Sequence, residues 1–257
     1  MEKDIWSAAD LHVHTTASDG VATPSEVLHW VCEKTDLRVI AIADHNTNLG
    51  AIEAAELAAR EGLAIDVIVA QETESADGHI IGLWTPRLIR PGMDAASTIA
   101  AVHEQGGFAI AAHPFAPRFW SKIGLDRGKR SIYEVADYDG MEIANSTPLL
   151  FVANWVARVY QYRAGDRFAR TGGSDAHILR AIGTSRTYFP GETADDLRAA
   201  LEARLTTVTR PGLSPARNWH YARSVQHIRA RDRERKAREV ELGIREPRPE
   251  RTPRERR

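Results

Sequence analysis

The chain has 257 residues, enough for one large domain with its own hydrophobic core. Hydrophobic residues make up 43% and charged residues 27%, as in an ordinary soluble protein. No uncharged apolar run reaches the roughly eighteen residues of a membrane span. The first ten residues carry three acids and no apolar segment of signal-peptide length, which predicts a cytoplasmic protein. A single cysteine, Cys32, excludes an intrachain disulfide and a cysteine-rich zinc site, and we interpret it as a small core residue of a helix.

Charge is unevenly distributed, although the net charge is only −1. Residues 217–257 contain 14 Lys and Arg but 7 Asp and Glu. The totals of 34 and 35 therefore leave 20 basic against 28 acidic residues for positions 1–216. An acidic balance of this kind suits a site that binds cations.

Apolar, β-rich segments alternate with helical patterns as far as Thr209, which is typical of βα units. Seven strands are predicted, at residues 9–14, 39–43, 66–71, 108–112, 140–143, 168–171 and 184–189. A further short run at 79–83 is predicted to pair locally with the third strand. Helices are predicted at residues 24–34, 49–61, 95–105, 149–163 and 194–204, and Thr23 with Glu26 forms a capping box before the first. The alternation favours a closed or nearly closed parallel barrel, with an open doubly wound sheet as the alternative.

The character of the sequence changes after residue 210. The pattern predicts a main domain over residues 1–210 and a basic, charged C-terminal extension over residues 211–257. Residues 217–240 are typical of a solvated helix, and the prolines and arginines that follow predict disorder. A solubilising extension is favoured over a tail that contacts nucleic acid or acidic partners.

Five short segments concentrate histidines and carboxylates at the ends of predicted strands. Each alone has a structural explanation, such as an Asx-capped turn, a loop acid or a buried histidine. In a strand, however, residues two apart face the same side, so His12 and His14 point their rings together. The segments are Asp10–His14 with Ser18-Asp19-Gly20, Asp44-His45-Asn46-Thr47, Glu72 with His79, His113-Pro114, and Ser174-Asp175-Ala176-His177.

The combination of these segments indicates a metal site. In a parallel barrel the C-terminal ends of the strands converge on one mouth. Six of the ten histidines would lie there, and scattered core histidines would not be sorted in this way. Imidazole and carboxylate ligands without thiolate suit Zn, Mn or Fe.

These motifs, in this order, resemble those of the PHP (polymerase and histidinol phosphatase) superfamily, and the resemblance covers roughly residues 8–190. Within the superfamily the Asp-His-Asn-Thr string is similar to the stand-alone PHP metallohydrolases, which include carbamate-cleaving members, and to small phosphoesterases that act on nucleotides. The resemblance implies an α/β fold, a distorted seven-stranded (β/α) barrel of the PHP type, and two or three divalent metal ions.

The resemblance also implies a division of the ligands among three cations. One cation would take His12, His14, Glu72 and Asp175. A second would share Glu72 and add His79 and His113. A third would take Asp19, His45 and His177, with Asp44 interpreted as a partner that orients a ligand histidine.

The function implied is a metal-dependent phosphoesterase that uses metal-activated water on a small phosphomonoester, a nucleotide or a short oligonucleotide. His12, His14, Glu72, His113 and Asp175 are the predicted catalytic residues. Arg118 is the first candidate for binding the phosphate, ahead of Lys122, Arg163 and Arg180. Two alternatives remain open: the same site cleaving a carbamate, ester or amide, and a non-catalytic PHP module.

Overall fold

The computed structural model describes residues 5–116, 133, 136–165, 167–209 and 215–245. Nine strands and six α-helices are formed within these ranges. The strands are β1 (Trp6–Val13), β2 (Val39–Ile42), β3 (Asp66–Glu74), β4 (His79–Leu83), β5 (Phe108–Ala111), β6 (Gly140–Asn145), β7 (Ala169–Gly173), β8 (Thr187–Pro190) and β9 (Thr207–Val208). The helices are α1 (Pro24–Lys34), α2 (Leu49–Glu61), α3 (Ala95–His103), α4 (Phe151–Arg163), α5 (Ala194–Glu202) and α6 (Pro215–Glu241).

The strands form one sheet in the order β7-β6-β5-β4-β3-β2-β1-β8-β9. Its central strands are buried and apolar, as strands covered on both faces must be. The two ends of the sheet meet beside β1. Val13 bridges Ala176 just after β7, and the His14 backbone N–H donates to the Ala176 carbonyl over 2.9 Å. Lower down, Thr187 of β8 hydrogen-bonds the backbone of Gly172 in β7, so the sheet is a nearly closed barrel.

The predicted barrel is confirmed, and all seven predicted strands are present. The strand number and direction need correction, because nine strands form a mixed sheet. β4 is antiparallel to both β3 and β5, and β8 is antiparallel to β1. Strand β4 is antiparallel to β3 because only four residues join the two strands. A connection that short permits a hairpin but not a parallel crossover.

Helix α1 shows how local sequence fixes the packing. Thr23 caps it and exchanges hydrogen bonds with Glu26, as predicted. Its buried face carries Val27, Leu28 and Val31 against the sheet. Cys32 is exposed, so its interpretation as a core residue is wrong.

Helix α6 covers the segment at residues 217–240 that the sequence predicts as a solvated helix, but one of its faces is not solvated. Ile228 is 7% exposed and belongs to the same apolar cluster as α1 and α2. Glu239 is also buried, and Arg231 Nη2 donates to the Thr16 carbonyl over 2.6 Å. The helix is therefore fixed across one rim of the barrel. Among the helices in the described ranges, none combines the length and the apolar character that crossing a membrane requires.

Candidate metal centre

All nine residues predicted as metal ligands lie together at one rim of the barrel. His12 and Glu72 belong to β1 and β3, and the loops after the strands supply most of the others. His79 is the first residue of β4, and because β4 is antiparallel its start lies at the same rim. The His14 ring centroid is 5.1 Å from that of His12 and 4.2 Å from that of His177.

Glu72 is the centre of the cluster and is fully buried. Its Oε1 lies 2.9 Å from His79 Nδ1 and 2.9 Å from His113 Nε2. Its Oε2 lies 3.0 Å from His45 Nδ1, and 3.4 Å and 3.5 Å from the Nε2 atoms of His12 and His14. One carboxylate thus faces five imidazoles, an arrangement suited to bridging cations.

Two aspartates complete the cluster on the side of His14. Asp175 Oδ1 is 3.2 Å from His14 Nε2 and 3.6 Å from His12 Nε2. Asp19 Oδ1 is 3.3 Å from His177 Nε2, and Asp19 Oδ2 is 3.8 Å from His45 Nε2. Each aspartate carboxylate therefore lies between two imidazoles.

The potential ligand atoms form four overlapping groups, and within each group they lie within 4.8 Å of one another. The groups are His14-Asp19-His45-His177, His12-His14-Asp175, His12-Glu72-His113 and His45-Glu72-His79. They overlap at His12, His14, His45 and Glu72. The division of ligands among three cations stays a prediction, with His14 and His45 each placed to serve more than one ion.

Unpartnered buried atoms test whether this cluster fits metal ions. Buried polar atoms normally have hydrogen-bond partners, since leaving them without one is costly. Here several buried atoms that face the cluster make no hydrogen bond of normal geometry among the described residues. They are His12 Nε2, both ring nitrogens of His14, His45 Nδ1, His113 Nδ1 and Glu72 Oε2. Most of them point at the same space, so the donor set fits divalent cations.

The carboxylates are ionised despite their burial. Burial raises the pKa of Glu72, but His45, His79 and His12 outweigh it and hold that pKa well below its usual range. Burial also raises the pKa of Asp19 and of Asp175, but the neighbouring histidines outweigh it and hold both pKa values well below the usual range. Burial lowers the pKa of His45 to about 3. For His12, His113 and His177 the neighbouring carboxylates outweigh burial and raise the pKa, so cations that bind these rings would displace protons.

Glu142 in β6 orients two of the predicted ligands and was missed by the sequence reasoning. Its Oε1 lies 3.1 Å from His12 Nδ1, which leaves His12 Nε2 to face the centre. Its Oε2 accepts from the backbone N–H of His113 at 2.7 Å and from Asn145 Nδ2 at 2.9 Å. The only sequence signal was an acid within an otherwise apolar strand.

Asp175 and His177 are held in similar fashion. Thr147 Oγ1 donates to Asp175 Oδ2 over 2.8 Å, so Asp175 Oδ1 is left for the cluster. His177 Nδ1 lies 3.0 Å from the Asp175 carbonyl oxygen, so its Nε2 faces Asp19. Asn145, the last residue of β6, is buried and its Nδ2 donates to Asp175 Oδ2 over 3.3 Å.

Asp44 does not hydrogen-bond a ligand histidine, contrary to its interpretation from the sequence. Its carboxylate accepts from the Thr15 backbone N–H, from Thr15 Oγ1 and from Ser18 Oγ. It therefore orders the loop that carries Asp19.

The backbone at the site is strained and crowded. Asn46, His113 and Asp175 all have φ between +28° and +55°, a region that residues other than glycine seldom adopt.

Gly173 is needed because neighbouring side chains approach its backbone closely. A Cβ at this position would lie 2.7 Å from Glu142 Oε1 and closer still to His12 Cβ. A side chain at position 173 would push His12 out of the cluster.

Gly173→Ala is expected to lower metal content and to reduce hydrolytic activity by about 10- to 100-fold, with a stability loss of about 1–3 kcal/mol from overpacking. The matched control is Gly165→Ala, where a Cβ meets nothing within 4 Å. The φ of +64° at Gly165 should cost this variant about 1 kcal/mol of stability, but its metal content and activity should equal those of the wild type. Elemental analysis and kinetics of both variants check the expectation. Wild-type metal content in Gly173→Ala would contradict it.

Of the four predicted phosphate-binding residues, the two that the structure describes do not reach this cluster. Arg118, ranked first, and Lys122 lie outside the described residues, so the role of Arg118 stays a prediction. Arg163 and Arg180 are exposed and do not line the cavity above the cluster. That cavity, of about 480 Å³, is lined by the metal cluster on one side and by α6 on the other.

Comparisons with known proteins agree with this arrangement. The family described as PHP-associated matches residues 157–206. A protein of Methanocaldococcus jannaschii, described as uncharacterized, is 36% identical over 149 residues, which cover 54% of this chain and 81% of the relative. The 5′-3′ exoribonuclease Rnm of Escherichia coli is 41% identical over 78 residues, which cover 29% of this chain but only 26% of the exoribonuclease.

A solved structure from Bacteroides vulgatus is similar in fold. It is described as a two-domain protein containing a predicted PHP-like metal-dependent phosphoesterase. The TM-score is 0.63 at 20% identity, and the match covers 80% of this chain and 65% of that one. At this identity the likeness shows the barrel alone.

Proposed function

We propose that this chain, which belongs to the PHP superfamily, is a metal-dependent phosphoesterase. The PHP-associated match over residues 157–206 supports the membership. The motifs at His12, Asp44, Glu72, His113 and Asp175 occur in the order that is typical of the superfamily. The activity is our inference from the site.

One observation carries the proposal: nine imidazole and carboxylate side chains converge on one rim around buried atoms that make no hydrogen bond with the described residues. Such donors suit two or three Zn, Mn or Fe ions. Divalent cations, when bound, would activate water for attack on phosphorus and neutralise the charge that develops on the phosphate oxygens.

The chain's own residues prepare this chemistry. Glu72 would hold adjacent cations together, since its two oxygens face different sets of imidazoles. Glu142 fixes the His12 ring so that Nε2 points inward. Thr147 fixes Asp175, and the α6 wall narrows the mouth, so a bound phosphate is oriented and partly shielded from solvent.

The substrate we propose is a small phosphomonoester, a nucleotide or a short oligonucleotide. The cavity volume suits a ligand of nucleotide size. The similarity to an exoribonuclease, though limited to 78 residues, supports a phosphoester bond over a carboxyl-type bond.

A substrate panel with the full chain, loaded with Mn or Zn, tests the proposal. We expect hydrolysis of p-nitrophenyl phosphate or of nucleotides, lost on chelation and restored by metal. His12→Ala and Asp175→Ala should be inactive but folded. His103→Ala, which alters a half-exposed histidine paired with Asp139, is the matched control and should be fully active.

Two results would overturn the proposed phosphoesterase function. Cleavage of esters or carbamates without phosphoesters would assign the site to carboxyl-type bonds. Bound metal without hydrolysis anywhere on the panel would indicate a non-catalytic module.

A further inference from the structure

The ring of His45 is contacted by predicted metal ligands alone. Its Nδ1 lies 3.0 Å from Glu72 Oε2, and its Nε2 lies 3.8 Å from Asp19 Oδ2. Within the described ranges, no other hydrogen bond or ion pair reaches this ring. The ring of His12, by contrast, is fixed from behind by Glu142. The orientation of His45 must therefore be set by the backbone that carries it.

Asn46, the next residue, ties that backbone to β3. Its N–H donates to the Glu72 carbonyl over 2.9 Å, and its Oδ1 accepts from the Glu74 backbone N–H over 2.9 Å. The φ of Asn46 is +55°, a conformation that asparagine tolerates better than most residues. The side chain of Asn46 thus fixes the path of the chain just after His45.

Glu239 of α6 holds the other end of the same side chain. Asn46 Nδ2 donates to Glu239 Oε1 over 3.0 Å, across a sequence separation of 193 residues. Glu239 is buried, and its two oxygens also pair with Arg235 and Arg245. A carboxylate held by two guanidinium groups has little freedom to move, so it is a fixed acceptor for Asn46.

The contact that docks α6 is therefore also a contact that orients a ligand. Without Glu239, Asn46 Nδ2 would be a buried donor lacking this acceptor, which is costly. The amide would turn to find another partner and would release Glu74, and His45 would shift with it. His45 belongs to two of the four groups of potential ligand atoms, so its displacement affects more than one cation position.

We propose that Glu239 is a positioning residue of the metal centre: acting through Asn46, it holds His45 where the ring can coordinate a cation. The C-terminal helix is then needed for full metal occupancy, in addition to closing the cavity. This inference rests on the proposed function only in that the cluster binds cations. It does not depend on which bond is cleaved.

The test is a calorimetric titration of the metal-free full chain with Mn²⁺ and, in a second series, with Zn²⁺. Glu239→Ala should weaken the binding of at least one ion by about 10- to 100-fold, as expected for a residue that orients a metal ligand. The matched control is Glu234→Ala, which removes an exposed acid of the same helix that does not line the cavity. This control should bind both metals as the wild type does.

A conservative variant separates positioning from stability. Glu239→Gln loses the charge that pairs with Arg235 and Arg245, but its amide oxygen can still accept from Asn46. Both Glu239 variants should therefore unfold at lower urea concentrations than the wild type, while only Glu239→Ala should lose metal affinity. Equal losses of metal affinity in the two variants would show a role in stability alone and would overturn the inference.

Asn46→Gly tests the pathway from its other end. Glycine removes the amide without straining a backbone at φ +55°. Metal affinity should fall at least as far as in Glu239→Ala, and combining the two substitutions should cost less than about a further twofold, since both break one bond. Additive losses would show that Glu239 does not act through Asn46. If Glu239→Ala fails to fold, wild-type metal affinity in Asn46→Gly would itself overturn the inference.

Failure of this inference and failure of the proposed function give different results. Wild-type metal affinity in Glu239→Ala overturns the inference, while hydrolysis of phosphoesters by the wild type leaves the proposed function intact. Metal binding that is lost in Glu239→Ala, without hydrolysis anywhere on the substrate panel, supports the inference and overturns the phosphoesterase. A wild type that binds neither Mn²⁺ nor Zn²⁺ overturns both.

Discussion

Glu72→Gln is expected to remove at least one metal ion per chain and to lower kcat/KM by about a thousandfold or more. Mutating a residue that only orients a metal ligand already lowers metal affinity or activity by about 10- to 100-fold, so the loss of a ligand should cost more. The substitution keeps the shape of the side chain but removes the negative charge that faces five imidazoles. A neutral amide cannot bridge two cations as a carboxylate does. Its NH2 group would also face ring nitrogens that need to coordinate.

Elemental analysis and steady-state kinetics measure this result, with circular dichroism to confirm folding. Glu53→Gln on the exposed surface of α2 removes the same charge far from the cluster and should behave as wild type. Undiminished metal content and activity in Glu72→Gln would show that Glu72 is not a ligand.

Arg235→Ala is expected to destabilise the chain by about 2–4 kcal/mol, because it leaves buried carboxylates without their main partner. The Arg235 side chain is 7% exposed and contacts Glu74, Asp232 and Glu239 at 2.6, 2.7 and 2.5 Å. Arg245 also pairs with Glu74 and Glu239 and will compensate in part, which keeps the loss near the low end for a broken buried pair. Urea unfolding measures it, with Arg238→Ala as a control expected within about 0.5 kcal/mol of wild type.

The stability difference between the wild type and Arg235→Ala should depend on pH in a defined direction. Burial raises the pKa of Glu74, but Arg235, His45 and His79 outweigh it and hold the pKa well below its ordinary value of 4.5. A carboxylate with a lowered folded-state pKa stabilises the fold above its unfolded pKa and loses that contribution in acid. The stability gap between wild type and Arg235→Ala should therefore be largest above about pH 5 and shrink as the pH falls. A gap that grows in acid would contradict the assignment.

The ligands of the site were predictable because barrel topology and strand periodicity act on short sequence segments. His12 and His14 share a face by strand alternation, and the other motifs follow strands whose ends meet at one rim. His79 was the exception in geometry. It reaches the rim as the first residue of an antiparallel strand, which the short connection at residues 75–78 could have indicated.

Other features depend on pairings that no local pattern reveals. Glu142 is 130 residues from His12 in sequence, and Arg235 is 161 residues from Glu74. The charged pattern of α6 is typical of a solvated helix, because a hydrophobic period cannot show that arginines will be buried against carboxylates. For the same reason the wall that α6 builds over the metal centre could not be foreseen from the sequence.

The most direct test of the central claim, that one rim of the barrel binds several cations, is a crystal structure of protein grown with Mn or Zn, with anomalous difference maps recorded at the metal edge. We expect two or three peaks, each about 2.0–2.3 Å from ring nitrogens or carboxylate oxygens of the cluster and at least one beside Glu72. A map without peaks at the cluster, or with a single ion bound elsewhere on the surface, would contradict the claim.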